Sequence, residues 1–352
     1  MRGISETQIV SKEDASLRVV SLQKLIDGDQ TAVTELLNAC TELGFFYLNC
    51  NGPTSEYVVD QVRSLLELSV EVFDIPQEEK LIWAVDRDHD EHLIMGYKQA
   101  GHANGPVEGK KDGFEAFMLF EHALKNTSEQ NPFRGPNVLT SGKSLILNSI
   151  SSFRDISVLI LTRLSQALGI STDEAFQYFH RKDAVCPTAL GFLKYTNYAE
   201  QPDIVGQIAH TDAGSLSIVF TEVPGLQVLK PNEETWYYIA PKPGHAIVNI
   251  GDSLRFISKG VLECALHRVI PFQDEKNRNK YTIVYLLRPE MNAEFEDEHG
   301  NVWKGLEWTN KKHAVFRADA KEQAEGTFLT GRDGYVGHWD PTEDIDAEMI
   351  TM

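Results

Sequence analysis

The sequence predicts an α+β protein with a mostly β core: a jelly roll, or double-stranded β-helix, flanked by helices. Two observations predict it. From about Thr188 the chain consists of short runs of β-branched and aromatic residues, separated by turn residues such as Pro224-Gly225 and Pro243-Gly244. Seven or eight short strands at that spacing are typical of a double-sheet jelly roll. Before that point, apolar residues recur at helical spacing, which predicts a helix-rich first half.

The individual elements follow from the same periodicities. Residues 30 to 43 have the apolar spacing of a helix that ends at Gly44, where FFYLN is typical of a strand. Residues 54 to 74 and 140 to 169 also show helical periodicity. The predicted strands of the second half are GFLKYTNY, LSIVF, GLQVLK, WYYIA, HAIVNI, ECALHRVI and KYTIVYLL. After Pro289 the chain is acidic and irregular, with one helix predicted near residues 311 to 325.

The chain contains no internal repeat and no low-complexity linker, so we expect residues 1–352 to form a single continuous domain. Within it we expect three regions. Residues 1–187 would form a helix-rich N-terminal region, residues 188–290 the jelly-roll core, and residues 291–352 a C-terminal extension.

Charge and composition limit the class of partner. The chain has 33 Lys and Arg against 52 Asp and Glu, a net charge of −19, and 42% hydrophobic residues. This composition is ordinary for a protein with a real core. The negative charge repels phosphate backbones and anionic bilayers, so we expect neither nucleic acid nor a membrane as partner. A small-molecule substrate remains, and the oligomeric state stays open.

Cysteine usage and the N-terminus favour the cytoplasm. Cys40, Cys50, Cys186 and Cys264 form no Cys-x-x-Cys pair, so we expect buried, reduced thiols rather than a zinc knuckle or a disulfide framework. The first twenty residues lack the apolar run of a signal peptide, and no other stretch reaches transmembrane length without charges.

The segment IAHTDAGSLSIVF, residues 208 to 220, begins a strand-like run with a charged pair. Side chains at i and i+2 share a face of a strand, so His210 and Asp212 would present an imidazole and a carboxylate together. His267, in CALHRVIPF, is the candidate third ligand, because a rolled sheet can bring its strand back beside the first. Two histidines and one carboxylate leave positions open for Fe(II) chemistry. Zinc would favour a tetrahedral site with a water, so the ligand set alone does not exclude a hydrolase.

Five ordered motifs resemble one family. The motifs are HTDAGSLSIVF, PGLQVL, Trp236 with APKPGHAIVNIGDSL, ALHRVI and KYTIVYLLRP. In order and spacing they resemble the 2-oxoglutarate and Fe(II) dependent dioxygenases of the isopenicillin N synthase-like group, whose core is a cupin-like jelly roll. The resemblance covers roughly residues 188 to 290. ACTELGFFYLNCNG also resembles the family's N-terminal segment, with Asn51 where the family usually has histidine. Residues 96 to 117 resemble the substrate-facing segment of a fungal-looking member.

The resemblance implies roles for particular residues. His210, Asp212 and His267 would hold the iron as the catalytic centre. In the family an Arg-x-Ser pair holds the far carboxylate of 2-oxoglutarate, and here Lys280 and Thr282 stand at the matching place. Lysine keeps the positive charge without the planar fork of arginine, and threonine keeps the hydroxyl.

Two further residues are candidates for binding 2-oxoglutarate. Arg278 lies two residues upstream of Lys280 and could share its face. Tyr198 matches a family tyrosine that contacts the oxo-acid, although Ala199 replaces the proline that usually follows it.

The candidate substrate residues are open to two interpretations. Tyr97, Lys98, Phe114 and Phe117 either line the substrate pocket or pack the helical half onto the sheet. We expect HDEH, residues 89 to 92, to be a solvated loop rather than a metal cluster, and Gly251 and Asp252 to form a turn.

The resemblance implies an oxidoreductase: an Fe(II) and 2-oxoglutarate dependent oxygenase that oxidises a small organic molecule, expected in secondary-metabolite biosynthesis. Its cofactors would be Fe(II), 2-oxoglutarate and O₂, with ascorbate a further candidate. Hydroxylation, desaturation and ring closure all remain open.

Two alternatives to this function remain. An oxidase of the same fold that uses no 2-oxoglutarate is supported by Lys280 and opposed by Thr282. A non-catalytic small-molecule binding module is opposed by the intact set of His210, Asp212 and His267.

Overall fold

The computed structural model describes residues 10–85, 96–128, 133, 135–197, 199–271 and 278–340. The helices among them are α1 Leu22–Asp27, α2 Gln30–Glu42, α3 Glu56–Asp74, α4 Gln77–Ile82, α5 Glu121–Lys125, α6 Asn137–Ser141, α7 Lys143–Ala167, α8 Asp252–Ile257, α9 Gly305–Arg317 and α10 Ala320–Ala324. The strands are β1 Val10–Asp14, β2 Val19–Ser21, β3 Phe45–Asn49, β4 Gly96–Lys98, β5 Phe114–Phe120, β6 Ala189–Tyr195, β7 Gln207–His210, β8 Leu216–Thr221, β9 Leu226–Leu229, β10 Trp236–Tyr238, β11 His245–Ile250, β12 Leu266–Val269, β13 Lys280–Leu287, β14 Glu294–Glu296 and β15 Val302–Lys304.

Two facing sheets form the jelly roll. The major sheet has eight strands in the order β2-β3-β11-β8-β13-β6-β5-β4, and the minor sheet has five in the order β1-β10-β9-β12-β7. Strands β14 and β15 form a separate pair. The predicted fold class is therefore confirmed. Five strands, β1 to β5, come from the first half of the chain, so that half supplies sheet edges as well as helices.

The major sheet has two different faces because side chains alternate along each strand. Strand β13 shows this most clearly. The odd-numbered side chains of β13 pack into the apolar core under the helices: Tyr281, Ile283, Tyr285 and Leu287. Its even-numbered side chains face the minor sheet and line a cavity: Lys280, Thr282, Val284 and Leu286. One strand thus supports the helical layer and supplies the site.

Helix α7 is the central helix of the layer that covers the major sheet. By length and composition it could cross a membrane, but 50% of its most apolar stretch of 18 residues is buried inside this fold. Ile150, Phe153 and Ile160 are fully buried in the core that the helices share with the sheet. The apolarity of α7 therefore serves the protein core.

Two expectations about loops were wrong. Asp252 does not form a turn with Gly251 but begins helix α8, where its buried carboxylate pairs with Lys312 of α9. The segment after Pro289 is more ordered than its composition indicates, because β14, β15, α9 and α10 all lie in it. Apolar residues of this segment, including Trp308 and Val315, are buried. The four cysteines are free thiols; Cys40, Cys50 and Cys186 are buried, and Cys264 is half-buried.

Candidate metal centre and co-substrate pocket

Two neighbouring strands of the minor sheet place the two histidines side by side. Strands β7 and β12 pair in antiparallel register with His267 directly opposite His210. Their ring centroids lie 4.3 Å apart. The roll of the sheet therefore brings together two residues that are separated in the sequence by the four strands β8 to β11.

Asp212 lies in the loop just after β7, and its two carboxylate oxygens have different surroundings. Oδ2 accepts hydrogen bonds from the Ser217 hydroxyl at 2.5 Å and from Asn249 Nδ2 at 2.8 Å. Oδ1 faces the histidines, 3.6 Å from His210 Nε2 and 3.8 Å from His267 Nε2. One oxygen is thus held by the major sheet, and the other is presented to the imidazoles.

Backbone carbonyl groups set the orientation of both imidazole rings. His210 Nδ1 lies 2.7 Å from the carbonyl oxygen of Ile208, and His267 Nδ1 lies 3.3 Å from that of Ala265. A carbonyl oxygen can only accept, so each Nδ1 carries the hydrogen and each Nε2 presents a lone pair. The three ligand atoms all lie within 4.8 Å of one another. This donor set, two imidazole nitrogens and one carboxylate oxygen on one side of a point, fits a divalent ion with open positions.

The protonation states also suit a metal site. Burial, together with the neighbouring His210, lowers the pKa of His267 to about 4, so the ring is neutral at physiological pH. For Asp212, burial by itself would raise the pKa, but His267, His210 and Asn249 together hold it well below its usual range. A metal needs a neutral imidazole and an ionised carboxylate, and these residues provide both.

A buried ion pair braces the loop that carries Asp212. Lys312 Nζ lies 2.7 Å from Asp252 Oδ2 and 2.6 Å from the hydroxyl of Thr211, the residue between the two ligands. The backbone N–H of Asp252 donates to the carbonyl of Asp212 at 2.7 Å. Helices α8 and α9 therefore both fix the position of this loop.

A cavity of about 260 Å³ opens between the two sheets and includes the cluster of His210, Asp212 and His267. Most of its wall is apolar, with Val219, Leu226, Val269, Val284 and Leu286 among its residues. The ring of Phe316, from α9, packs edge-on against His210 with centroids 4.9 Å apart. The triad thus lies in a largely apolar enclosure.

Lys280 and Thr282 line the same cavity. Lys280 is 6% exposed, and its Nζ donates to the Thr221 hydroxyl at 2.5 Å and to the Val223 carbonyl at 2.7 Å. It pairs with no carboxylate among the residues that the structure describes. Burial lowers its pKa to about 7. The Thr282 hydroxyl is buried and has no hydrogen-bond partner within the described part of the chain.

The other two co-substrate candidates do not join this group. Arg278 is exposed and is not among the residues that line the cavity. Tyr198 lies outside the described residues. Tyr195, directly opposite Lys280 in the pairing of β13 with β6, does line the cavity, and its hydroxyl donates to Gln207 Oε1 at 2.9 Å.

The four substrate candidates lie on two opposite faces of strands β4 and β5, because side chains alternate along a strand. Lys98 and Phe114 line the cavity, and Lys98 Nζ lies 3.7 Å from the centroid of the Phe114 ring. Lys98 also pairs with the buried Asp112. Tyr97 and Phe117 instead pack against each other in the core under the helices, with centroids 5.0 Å apart. The HDEH stretch, residues 89 to 92, lies outside the described residues.

Comparison with known proteins identifies the family. Residues 187–289 match the model of the 2OG-Fe(II) oxygenase superfamily, and residues 17–142 match the N-terminal model of the non-haem dioxygenases in morphine synthesis. The 2-oxoglutarate-dependent dioxygenase FG08081 of Gibberella zeae is 33% identical over 317 residues, which cover 90% of this chain and 92% of that protein. The chain belongs to the 2OG-Fe(II) oxygenase superfamily.

Other proteins similar to this oxygenase support the same family assignment. The 2-oxoglutarate-dependent dioxygenase gloE of Glarea lozoyensis is 32% identical, with 92% of this chain and 94% of that protein covered. Among solved structures, Neurospora crassa T7H in complex with alpha-KG and thymine has a TM-score of 0.70 at 19% identity, covering 88% of this chain and 99% of that one. JOX2 in complex with 2OG, Fe and JA has a TM-score of 0.63 at 21% identity, covering 91% of each chain. The structural likeness shows a shared fold.

Family membership settles the reaction class. The protein is an oxidoreductase that uses Fe(II) and 2-oxoglutarate, with O₂ as the implied oxidant, to hydroxylate, desaturate or cyclise a small organic molecule. The alternatives of a co-substrate-free oxidase and a non-catalytic binding module are not favoured. The superfamily match at residues 187–289 coincides closely with the region expected to hold the iron and the co-substrate.

Proposed function

We propose that in this oxygenase the Nε2 atoms of His210 and His267 and the Oδ1 atom of Asp212 hold Fe(II), and that Lys280 and Thr282 hold the far carboxylate of 2-oxoglutarate. The observation that carries the proposal is that two side chains on one cavity wall lack a partner among the described residues, one for its charge and the other for its hydroxyl group. Lys280 is a buried cation without an acidic partner among the described residues, and Thr282 has an unpaired buried hydroxyl. Such groups are costly to bury unless a ligand completes them. A carboxylate would satisfy both.

Each residue then has a separate task in the reaction. Asn249 and Ser217 hold Asp212 Oδ2, which keeps Oδ1 directed at the metal position. The carbonyls of Ile208 and Ala265 hold the rings of His210 and His267 in the tautomer that binds metal. The apolar wall and Phe316 keep water away from the reacting atoms. When bound, iron and 2-oxoglutarate would supply the oxidising power for attack on a C–H bond of the substrate.

We also propose a setting for the reaction: secondary-metabolite biosynthesis in the cytoplasm, on a small organic substrate, without a nucleic acid or membrane partner. Its support is the fungal origin of relatives such as gloE, which match over nearly their whole length, and the net charge of −19. The structural neighbours with bound ligands hold small molecules, thymine in one case and JA in another.

Alanine substitutions test the ligand assignment. His210→Ala, Asp212→Ala and His267→Ala should each abolish turnover and sharply weaken Fe(II) binding, because each removes one of the three proposed protein ligands. Circular dichroism should show an intact fold. His299→Ala is the matched control, since His299 has a side chain that is 59% exposed and lies outside the cavity. Full activity in any one of the three ligand variants would overturn the assignment.

A further inference from the structure

Arg288 lies at the opposite end of the cavity wall from Lys280. It directly follows β13 and continues the alternation that places Lys280, Thr282, Val284 and Leu286 on the cavity. Eight residues of extended chain span about 27 Å at ~3.4 Å per residue. A five-carbon diacid held at Lys280 is far too short to reach Arg288. The two cations therefore serve different parts of the cavity.

Arg288 lies on the side of the loop that carries Asp212. The backbone N–H of Ser215 donates to the carbonyl of Leu287 at 2.8 Å, which ties this loop to the end of β13. A Cβ atom added at Gly214 would lie 3.1 Å from Cγ of Arg288. The side chain is thus positioned next to the proposed metal centre, where a substrate has to be bound.

The guanidinium of Arg288 is buried but incompletely paired. The residue is 5% exposed, and its Nη1 donates to the carbonyl of Pro187 at 2.6 Å. Within the described ranges the guanidinium makes no other side-chain hydrogen bond and no ion pair. Burial lowers its pKa to about 10, so it remains charged at neutral pH. A buried cation with unused N–H donors on a cavity wall is typical of an anion-binding position.

The other charges of the cavity leave Arg288 available. Two aspartates line the cavity: Asp112 pairs with Lys98, and Asp212 is held by Asn249 and faces the histidines. Neither lies within ion-pair distance of Arg288. The charge of Asp212 favours the protonated guanidinium from beyond ion-pair distance, and among the described residues a direct counter-charge for Arg288 is left to a ligand.

We propose that Arg288 binds a carboxylate of the substrate, so that this oxygenase acts on a small organic acid. The proposal rests on the function proposed above, because it requires 2-oxoglutarate to occupy the Lys280 end. The planar guanidinium can offer two parallel N–H donors to a carboxylate, which fixes orientation as well as affinity. Arg288 is thus a residue that determines substrate specificity and positions the substrate next to the metal.

Matched pairs of acids and amides test the proposal. The full-length protein, loaded with Mn(II) and 2-oxoglutarate, is titrated calorimetrically with benzoate, phenylacetate and cinnamate and with the primary amide of each. We expect acids to bind about tenfold or more tightly than their amides. Arg288→Gln should abolish this preference, and Arg288→Lys should retain part of it. Arg63→Gln is the control, since Arg63 is a 67% exposed cation outside the cavity lining and its loss should leave the preference intact.

The outcomes separate this proposal from the proposed function. If no acid in the panel binds more tightly than its amide, or if Arg288→Gln keeps the preference, the assignment of Arg288 is wrong. If Arg288→Gln weakens 2-oxoglutarate binding as much as Lys280→Ala does, Arg288 belongs to the co-substrate site and the proposal fails. If 2-oxoglutarate binds equally well to Lys280→Ala and the wild type, it is instead the proposed co-substrate site that fails.

Discussion

At the scale of single residues, the site depends on buried polar side chains that lack a partner for their charge or hydroxyl group among the described residues. Lys280 is buried with only a hydroxyl and a carbonyl as acceptors, and Thr282 has an unpaired hydroxyl beside it. Lysine in place of the family's arginine presents a single point charge instead of a planar fork. Its ammonium group, unlike a guanidinium, can lose its proton near neutral pH when it is buried.

The first prediction at this scale concerns 2-oxoglutarate affinity. Lys280→Ala should raise the KM for 2-oxoglutarate by about ten- to a hundredfold, because a lost charge-assisted contact costs roughly 1.5–3 kcal/mol. Lys280→Arg should retain or improve affinity. Arg278→Ala is the control, since Arg278 is exposed and away from the cavity lining. Loss of affinity in Arg278→Ala but not in Lys280→Ala would identify the arginine as the anchor.

The second prediction is a pH dependence. The pKa of Lys280 in the free enzyme is about 7, lowered by burial. A bound carboxylate favours the protonated form and raises that pKa. Affinity for 2-oxoglutarate should therefore be constant below about pH 7 and fall by up to about tenfold per pH unit above it, as binding has to take up a proton. Calorimetric titration between pH 6 and 9 measures this. Lys280→Arg should show no such fall, and an equal fall in both proteins would exclude Lys280 as the titrating group.

Sequence reasoning could propose the ligands but not the residues that support them. His210, Asp212 and His267 could be proposed because histidine and aspartate are residue types that bind metals. Asn249 lies in the predicted strand HAIVNI, where no pattern singles it out, yet its amide holds Asp212 Oδ2 across 37 residues of sequence. Tyr195 and Arg288 became visible only when strand pairing and alternation placed them on the cavity. Contacts of this kind depend on tertiary structure, and no local pattern encodes them.

At the scale of secondary-structure elements, strand β13 organises the site and helix α9 closes it. The run KYTIVYLL predicted a strand that coincides with β13, because β-branched and aromatic residues alternate faces along it. Strands β2 and β4 have three residues each, which is too few for a periodicity to be recognised. The β14–β15 pair was missed for the same reason, because each strand again has three residues.

The buried pair of Lys312 and Asp252 supports a prediction about stability. Lys312→Met leaves the carboxylate of Asp252 buried without its cation and should lower the free energy of unfolding by about 3–5 kcal/mol. It should also weaken Fe(II) binding, because Thr211 loses a contact between the two ligands. Lys321→Met is the control: this lysine is 86% exposed and pairs with Glu325, a contact worth roughly 0.3–0.5 kcal/mol. Urea unfolding compares the two. Equal and small losses of unfolding free energy in the two variants would show that the Lys312–Asp252 pair does not brace the loop.

At the scale of the whole molecule, three layers contribute to one cavity. The minor sheet supplies the histidines, the major sheet supplies Lys280 and Thr282, and α9 supplies Phe316 over His210. The superfamily match ends at residue 289, so part of the wall around the site comes from the segment beyond it. Although the chain carries a net charge of −19, the cavity contains two buried cations without acidic partners among the described residues. Anionic ligands are thus favoured inside a protein whose overall charge repels them.

The most direct test of the central claim is anaerobic titration of the apoprotein with Fe(II) and 2-oxoglutarate, followed by visible absorption. We predict that the wild type develops the charge-transfer band of a metal chelate of the oxo-acid. His210→Ala, Asp212→Ala and His267→Ala should show no band, and Lys280→Ala should reach the same band only at about ten- to a hundredfold higher 2-oxoglutarate. A full band in any triad variant, or none in the wild type, would contradict the account.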